Sequence, residues 1–354
     1  MNGAPDILLD RRDGLGRIRL NRPAALNALT LPMIRVLAPR LGHWATDPAV
    51  AAVVIEGVGE RAFCAGGDIR RLYDQGRASG SPLFAEFFGE EFTLNRAIHR
   101  FPKPYVAILD GVTMGGGVGL AVHGSYRIAT ERTMFAMPET GIGYFPDVGG
   151  SHFLPRCPGQ IGMYMALTGA RLKAADAVHA GVATHFVTAE RISDLIEALA
   201  AIGETAEPPA ALEQVLGEFV SDPGPAPLVA YRGIIDRCFA ADTVAGILAA
   251  LGREDDPWAG EVARIMARKS PTSQVVAHRA VRAGQALGFD DCMIMEFRLA
   301  LRFMDDHDFF EGVRALVVDK DNAPRWEPAR LEDVSEAAVE TYFAPLGARD
   351  LAFA

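Results

Sequence analysis

Two glycine runs constrain this chain more than any other feature. Gly66-Gly67 and Gly115-Gly116-Gly117 each stand between a segment of strand character and a segment of helix character. Ala51 to Glu56 and Tyr105 to Leu109 are short apolar runs, suited to strands covered on both faces. Helices are expected from about Ile69 and over Val118 to Val122. Short strands and helices that alternate in this way point to an α/β fold built from successive turns of ββα units. Glycine in such a turn lets backbone N–H groups face a ligand with no Cβ in the way. Two such amides aimed at one point make an oxyanion hole, although the same spacing, taken alone, also fits ordinary tight turns.

The flanking segments fit this plan. Ile7 to Leu9 and Arg17 to Leu20, joined by Asp13-Gly14-Leu15-Gly16, read as a hairpin. Thr30 is placed to cap a helix with Pro32 in its first turn, running to about Thr46 and ended by Asp47-Pro48. Phe84 to Arg100 has helical spacing, and Pro102 and Pro104 stop it. Two short strands, Arg127 to Ala129 and Met134 to Ala136, lead into a loop rich in Gly and Pro. From about Gln160 the pattern turns to helix after helix, with Pro-rich breaks at 207–209 and 221–227 and a strong helix at Asp291 to Phe303.

Composition narrows the partners. The chain has 354 residues, a net charge of −10, and lysines and arginines scattered without a basic stripe, which argues against nucleic-acid binding. Four cysteines lie far apart, without Cys-x-x-Cys, so a reduced compartment is expected. The start, MNGAPDILLD, lacks the basic and apolar pattern of a signal peptide, and no run of about 18 apolar residues marks a membrane span. These features together lead us to expect a soluble, cytoplasmic protein.

Glu139 and Asp147 lie in a segment stiffened by Pro138, Gly141, Gly143, Pro146, Gly149 and Gly150. Two carboxylates on a stiff loop are suited to acid–base or nucleophilic work, yet the pattern by itself favours two solvated loop acids. Glu90 and Glu91 read by residue type as exposed surface charge, and Asp68 as a helix cap. A Gly-x-Ser-x-Gly elbow, a Gly-x-Gly-x-x-Gly fingerprint and a Gly-Lys-Ser/Thr phosphate loop are all missing, and the eight histidines form no metal-ligand spacing.

Asn21-Arg22-Pro23, Leu26-Asn27-Ala28-Leu29, Phe63-Cys64-Ala65-Gly66-Gly67-Asp68-Ile69, Lys103-Pro104 and Gly115-Gly116-Gly117, in this order, resemble the crotonase (enoyl-CoA hydratase/isomerase) superfamily. A narrower resemblance is to its hydrolase branch, carried by Met114 to Leu120, Phe135 to Thr140, Gly143 to Gly150 and Leu167 to Gly169. It continues in Ala183 to Val187, Ser270 to Ser273, Phe310 to Ala315, Asp319 to Asp321 and Pro324 to Trp326. Hydratases of the superfamily carry a catalytic glutamate at the second position after the triple glycine; here that position is Gly119, which disfavours hydration.

The resemblance implies a crotonase-like spiral of ββα units in residues 1–202, with the CoA and catalytic site, and a mainly helical C-terminal region in 203–354. It further implies that the amides of Gly67 and Gly116 form an oxyanion hole and that Ala65, Gly66, Gly67, Asp68 and Ile69 bind CoA. Glu139 would be the nucleophile or base, with Asp147 beside the substrate hydroxyl or the attacking water and Glu91 as a further substrate contact. The implied reaction is hydrolysis of a short 3-hydroxyacyl-CoA, with the 3-hydroxyisobutyryl ester of valine breakdown as substrate. No metal and no cofactor beyond the CoA of the substrate is expected; a homo-oligomer is possible by the same resemblance. The alternatives are an enoyl-CoA hydratase or isomerase and, in another class, a non-catalytic acyl-CoA-binding protein.

Overall fold

The computed structural model describes residues 4–76, 82–202 and 208–353. Among the described residues nine strands alternate with helices, six in the order expected and three, at 62–64, 112–114 and 185–186, without an expected counterpart. Ile7–Arg12 (β1) and Leu15–Leu20 (β2) form the hairpin, followed by helix Leu31–Thr46 (α1). Ala52–Gly57 (β3) and Ala62–Cys64 (β4) precede helices Ile69–Gly76 (α2) and Leu83–His99 (α3). Tyr105–Leu109 (β5) and Val112–Met114 (β6) precede the short helix Gly116–Gly119 (α4). Tyr126–Ala129 (β7) and Met134–Ala136 (β8) begin the next repeat, and His185–Phe186 (β9) closes the strand series.

The strands sort into two sheets by their place in each repeat. First strands enter a six-stranded sheet of order β1-β2-β3-β5-β7-β9, and second strands enter a three-stranded sheet of order β4-β6-β8. Only the β1–β2 pairing of the large sheet is antiparallel; β2–β3, β3–β5, β5–β7 and β7–β9 are parallel. That arrangement explains the sequence of β5, Tyr-Val-Ala-Ile-Leu, buried at every position as a strand covered on both faces must be.

The chain groups into two compact units. The first consists of Met1–Gly67, Thr93–Phe135 and Leu172–Ala226, and the second of Asp68–Phe92, Ala136–Arg171 and Pro227–Ala354. The boundary expected at 202/203 falls at residues 203–207, which lie outside the described residues.

In the first unit, Leu15, Val54, Val106, Ile108 and Ile128 of the large sheet share one core cluster with Leu195, Leu199, Leu212 and Leu216 of two later helices. In α1 the Thr30 side chain accepts from the Met33 amide, and Met33, Ile34, Leu37, Leu41 and Trp44 form the buried stripe. Trp44 packs so closely on β2 that a Cβ at Gly16 would lie 2.9 Å from its ring. The second unit is helical, dominated by Pro271–Gly284 and Phe289–Asp305. No described helix is long and apolar enough to cross a membrane.

Candidate active site

In the first unit the two glycine turns meet back to back. β4 and β6 are parallel neighbours, with Ala62 opposite Val112 and Cys64 opposite Thr113, so both chains leave the same end of the small sheet. Gly66 has φ +108, and a Cβ there would lie 3.2 Å from the Met114 carbonyl oxygen and 3.5 Å from the Gly116 nitrogen. A Cβ on Gly117 would come within 2.1 Å of the Cys64 carbonyl oxygen. Only glycine permits this approach. Among the described residues, the N–H groups of Gly67 and Gly116 donate to no backbone carbonyl outside regular elements, and Gly116 is the first residue of α4, where an N–H has no intrahelical partner.

Asn27 braces the first turn. It is buried, with φ +56, and its side-chain amide donates to the carbonyls of Ala62 at 2.8 Å and Val58 at 3.1 Å while accepting from the Arg22 amide at 2.9 Å. The loop it holds then bonds the turn directly: Leu29 N–H donates to the Gly66 carbonyl at 2.8 Å, and Ala65 N–H to the Leu26 carbonyl at 3.0 Å.

In the second unit three carboxylates are buried near one another. Glu139 opens the 3-10 turn Glu139–Ile142, set by Pro138 before it and by Gly143 with φ +70 after it. Helix His307–Val313 presses on that turn: a Cβ at Gly143 would sit 2.1 Å from the Asp308 carbonyl oxygen. Ser270 N–H donates to the Thr140 carbonyl at 3.2 Å, and the Ser270 hydroxyl donates to the Asp308 carboxylate at 2.6 Å. Gripped in this way, Glu139 is 5% exposed, and its Oε2 has no hydrogen-bond partner among the described residues. Burial pushes its carboxyl well above the usual range and the charge of Asp147 adds to this; a bond from its own backbone and the Lys269 ammonium pull it back.

Asp147 is equally buried, and the Tyr144 hydroxyl donates to its Oδ2 at 3.2 Å. Tyr144 stacks on Phe88 at 5.9 Å and meets Phe303 and Phe309 edge-on, which fixes its ring. Burial and the charge of Glu296 raise the Asp147 carboxyl well above its ordinary value. Glu91 on α3 is 2% exposed, its Oε1 has no hydrogen-bond partner among the described residues, and burial followed by the charge of Asp147 raises it likewise. Each of these raised carboxyls holds its proton to higher pH than a solvated acid does, the property expected of groups that transfer protons.

Two expectations drawn from residue type alone are therefore corrected. Glu139 and Asp147 are not solvated loop acids, because the turn is packed under helices. Glu91 is not surface charge: it follows the buried Phe84, Phe87 and Phe88 by seven, four and three positions and lies on the same inward stripe.

The family profile described as enoyl-CoA hydratase/isomerase matches residues 15–343. The chain belongs to the enoyl-CoA hydratase/isomerase family. Its relatives include the mitochondrial 3-hydroxyisobutyryl-CoA hydrolase of Rattus norvegicus, 46% identical, the match covering 98% of this chain and 91% of that one. Among solved structures it is similar to a carnitinyl-CoA dehydratase from Mycobacterium thermoresistibile, 41% identical with a TM-score of 0.92 and 99% of both chains covered. An enoyl-CoA hydratase from Rhodobacter sphaeroides is 40% identical with a TM-score of 0.89, covering 99% of this chain and all of that one. The rat relative is mitochondrial by name, so the cytoplasmic compartment expected from the sequence gains no support from it.

For a member of the enoyl-CoA hydratase/isomerase family, the expected site residues fall into two sets. Gly67 and Gly116 come together in the first unit; Glu91, Glu139 and Asp147 come together in the second. Of the expected CoA run, Ala65, Gly67, Asp68 and Ile69 are partly exposed, and Asp68 also caps α2 by accepting from the Arg71 amide at 3.3 Å. Gly119 ends α4 buried, with no carboxylate to offer. Among the described residues no group of three or more His, Cys, Asp or Glu is arranged to hold a metal ion. Sequence reasoning missed Tyr144, Lys269 and Glu296. Tyr144 stood inside a motif already singled out; Glu296 showed itself as one acid within an otherwise apolar helical stripe.

Proposed function

We propose that this protein hydrolyses 3-hydroxyisobutyryl-CoA, a short 3-hydroxyacyl-CoA thioester, to 3-hydroxyisobutyrate and CoA. The observation that carries the reading is Glu139: a buried carboxyl with one unpartnered oxygen, on a turn held from two helices, in a chain 46% identical to an enzyme named for this reaction. In the mechanism the amides of Gly67 and Gly116 receive the thioester oxygen as negative charge grows on it. Glu139 attacks the carbonyl carbon to form a mixed anhydride, or removes a proton from a water that attacks instead. The C–S bond breaks, the thiolate leaves as CoA and takes a proton, and water supplies the second carboxylate oxygen of the acid. Asp147, held by Tyr144, receives the 3-hydroxyl, and Glu91 lies among the substrate contacts.

Ala65 to Ile69 bind the CoA portion, and no metal or cofactor beyond that CoA enters the scheme. The compartment is a reducing one, a cytoplasm or a mitochondrial interior, in keeping with four buried cysteines that form no disulfide among the described residues.

Hydration of an enoyl-CoA is the second reading, favoured by the names of the two similar structures at 40–41% identity. Gly119 speaks against it, because water addition uses two carboxylates and this position brings none. Thiol release from a panel of acyl-CoA esters, run beside the absorbance change of crotonyl-CoA, separates the two. The expected result is rapid thiol release from 3-hydroxyisobutyryl-CoA and, more slowly, from the 3-hydroxypropionyl ester, with no hydration of crotonyl-CoA. Hydration without thiol release would reverse the assignment.

A further inference from the structure

The segment that follows Asp147 is strained, and one remote carboxylate holds it. Val148 has φ +51, a backbone conformation that a β-branched residue adopts only under constraint, and Gly149 follows with φ +86. Directly beyond, Gly149 N–H donates to Glu296 Oε2 at 2.7 Å, Ser151 N–H donates to Glu296 Oε1 at 2.8 Å, and the Ser151 hydroxyl donates to the same oxygen at 2.5 Å. Glu296 comes from helix Phe289–Asp305, is fully buried, and has both oxygens occupied by these three donors. A buried acid with three donors and no cation is built to be an anion.

We propose that Glu296 is a positioning residue for the hydrolysis: by accepting from Gly149 and Ser151 it holds the Val148-Gly149 link, and so sets the direction and charge state of Asp147. The proposal rests on Asp147 serving in the reaction as assigned above. Glu296 touches neither substrate nor reacting atoms in this scheme; it acts through the backbone that leads out of Asp147. It also acts through space: burial is the main cause that raises the Asp147 carboxyl, and the negative charge of Glu296 adds to it. The titratable groups that face it are Asp147 and Tyr144 from the loop and Cys292 one turn earlier on its own helix.

Burial raises the Glu296 carboxyl to about 7, against the three bonds that favour its charged form. Below that pH the carboxyl is neutral, and the three bonds it accepts lose their charge assistance and weaken. The wild-type kcat is therefore expected to show a limb near pH 7, high on the alkaline side. Glu296→Gln is neutral at every pH and always turns one amide NH2 toward a donor. Its kcat at pH 8 should fall ten- to a hundredfold, of the order that a small misplacement costs. KM should stay within about threefold, and the gap to wild type should narrow at pH 6. An unchanged kcat at pH 8, or a loss of equal size at pH 6 and pH 8 as a merely structural role would give, overturns the proposal.

Ser151→Ala keeps the charge and serves if the first variant does not fold. It removes a bond to the ionised form, so the limb should move to higher pH; no movement, or movement downward, overturns the proposal. The amide resonances of Gly149 and Ser151 give a readout without substrate. A common midpoint near 7, absent in Glu296→Gln, supports the holding role, and amides that do not titrate refute it. Wild-type protein that released no thiol would defeat the assigned reaction, while the amide titration would still decide on Glu296.

Discussion

The Tyr144 hydroxyl donates to Asp147 Oδ2 at 3.2 Å, and both residues are buried. The tyrosine therefore fixes the acid that the proposed reaction aims at the substrate's 3-hydroxyl. A buried carboxyl oriented in this way keeps Tyr144 but leaves its bond to the substrate unmade when the hydroxyl is missing, and that loss is the source of discrimination. Wild-type protein should prefer 3-hydroxyisobutyryl-CoA over isobutyryl-CoA by at least about 10³ in kcat/KM. Asp147→Asn should narrow the preference to within about tenfold, and Tyr144→Phe should lower kcat/KM for the hydroxylated ester by about three- to tenfold, the scale of one bond between neutral groups. Parallel kinetics on the two esters check this; an Asn variant that keeps full preference would take Asp147 away from the hydroxyl.

The buried acids make the fold less stable as pH rises. Glu91, Glu139 and Asp147 are all raised above their ordinary values, chiefly by burial. In the unfolded chain they ionise at about pH 4, so above that pH the unfolded state holds fewer protons than the folded one. The unfolding free energy then falls with increasing pH until the raised values are passed. Glu91→Gln removes one such cost: its Tm should equal that of wild type near pH 4 and exceed it by about 2 °C or more at pH 8. Thermal scans across this range provide the check, and a Tm below wild type at pH 8 would contradict it.

Gly117 sits where no side chain fits, 2.1 Å from the Cys64 carbonyl oxygen when a Cβ is added. Gly117→Ala must therefore push the two glycine turns apart and spoil the convergence of the Gly67 and Gly116 amides. Loss of an oxyanion donor costs on the order of 10²- to 10³-fold in kcat, and the variant should fall in that range with circular dichroism unchanged at 25 °C. A folded variant with near wild-type kcat would mean that these amides do not bear the developing charge.

Much of this architecture was legible in the residues. The apolar run of β3, the Thr30 cap, the proline stops and both glycine turns each have a local physical cause, and each stands where that cause puts it. Asp68 was legible for the same reason. What local pattern does not carry is burial imposed from elsewhere in the chain. Glu139 looks solvated until Ser270 and Asp308, more than a hundred positions away, close over its turn. Glu296 reads as one acid in an amphipathic helix until the amides of Gly149 and Ser151 are found on it. Glu91 was the nearest miss, because its spacing from Phe84, Phe87 and Phe88 already marked it as inward-facing.

Glu139→Gln tests the chemistry most directly. The substitution keeps the size of the side chain and removes its capacity to attack or to accept a proton. With 3-hydroxyisobutyryl-CoA as substrate and free thiol as the signal, kcat should fall by at least about 10³-fold while the protein remains folded and still binds CoA. A glutamine variant that releases thiol at close to the wild-type rate would contradict hydrolysis through Glu139.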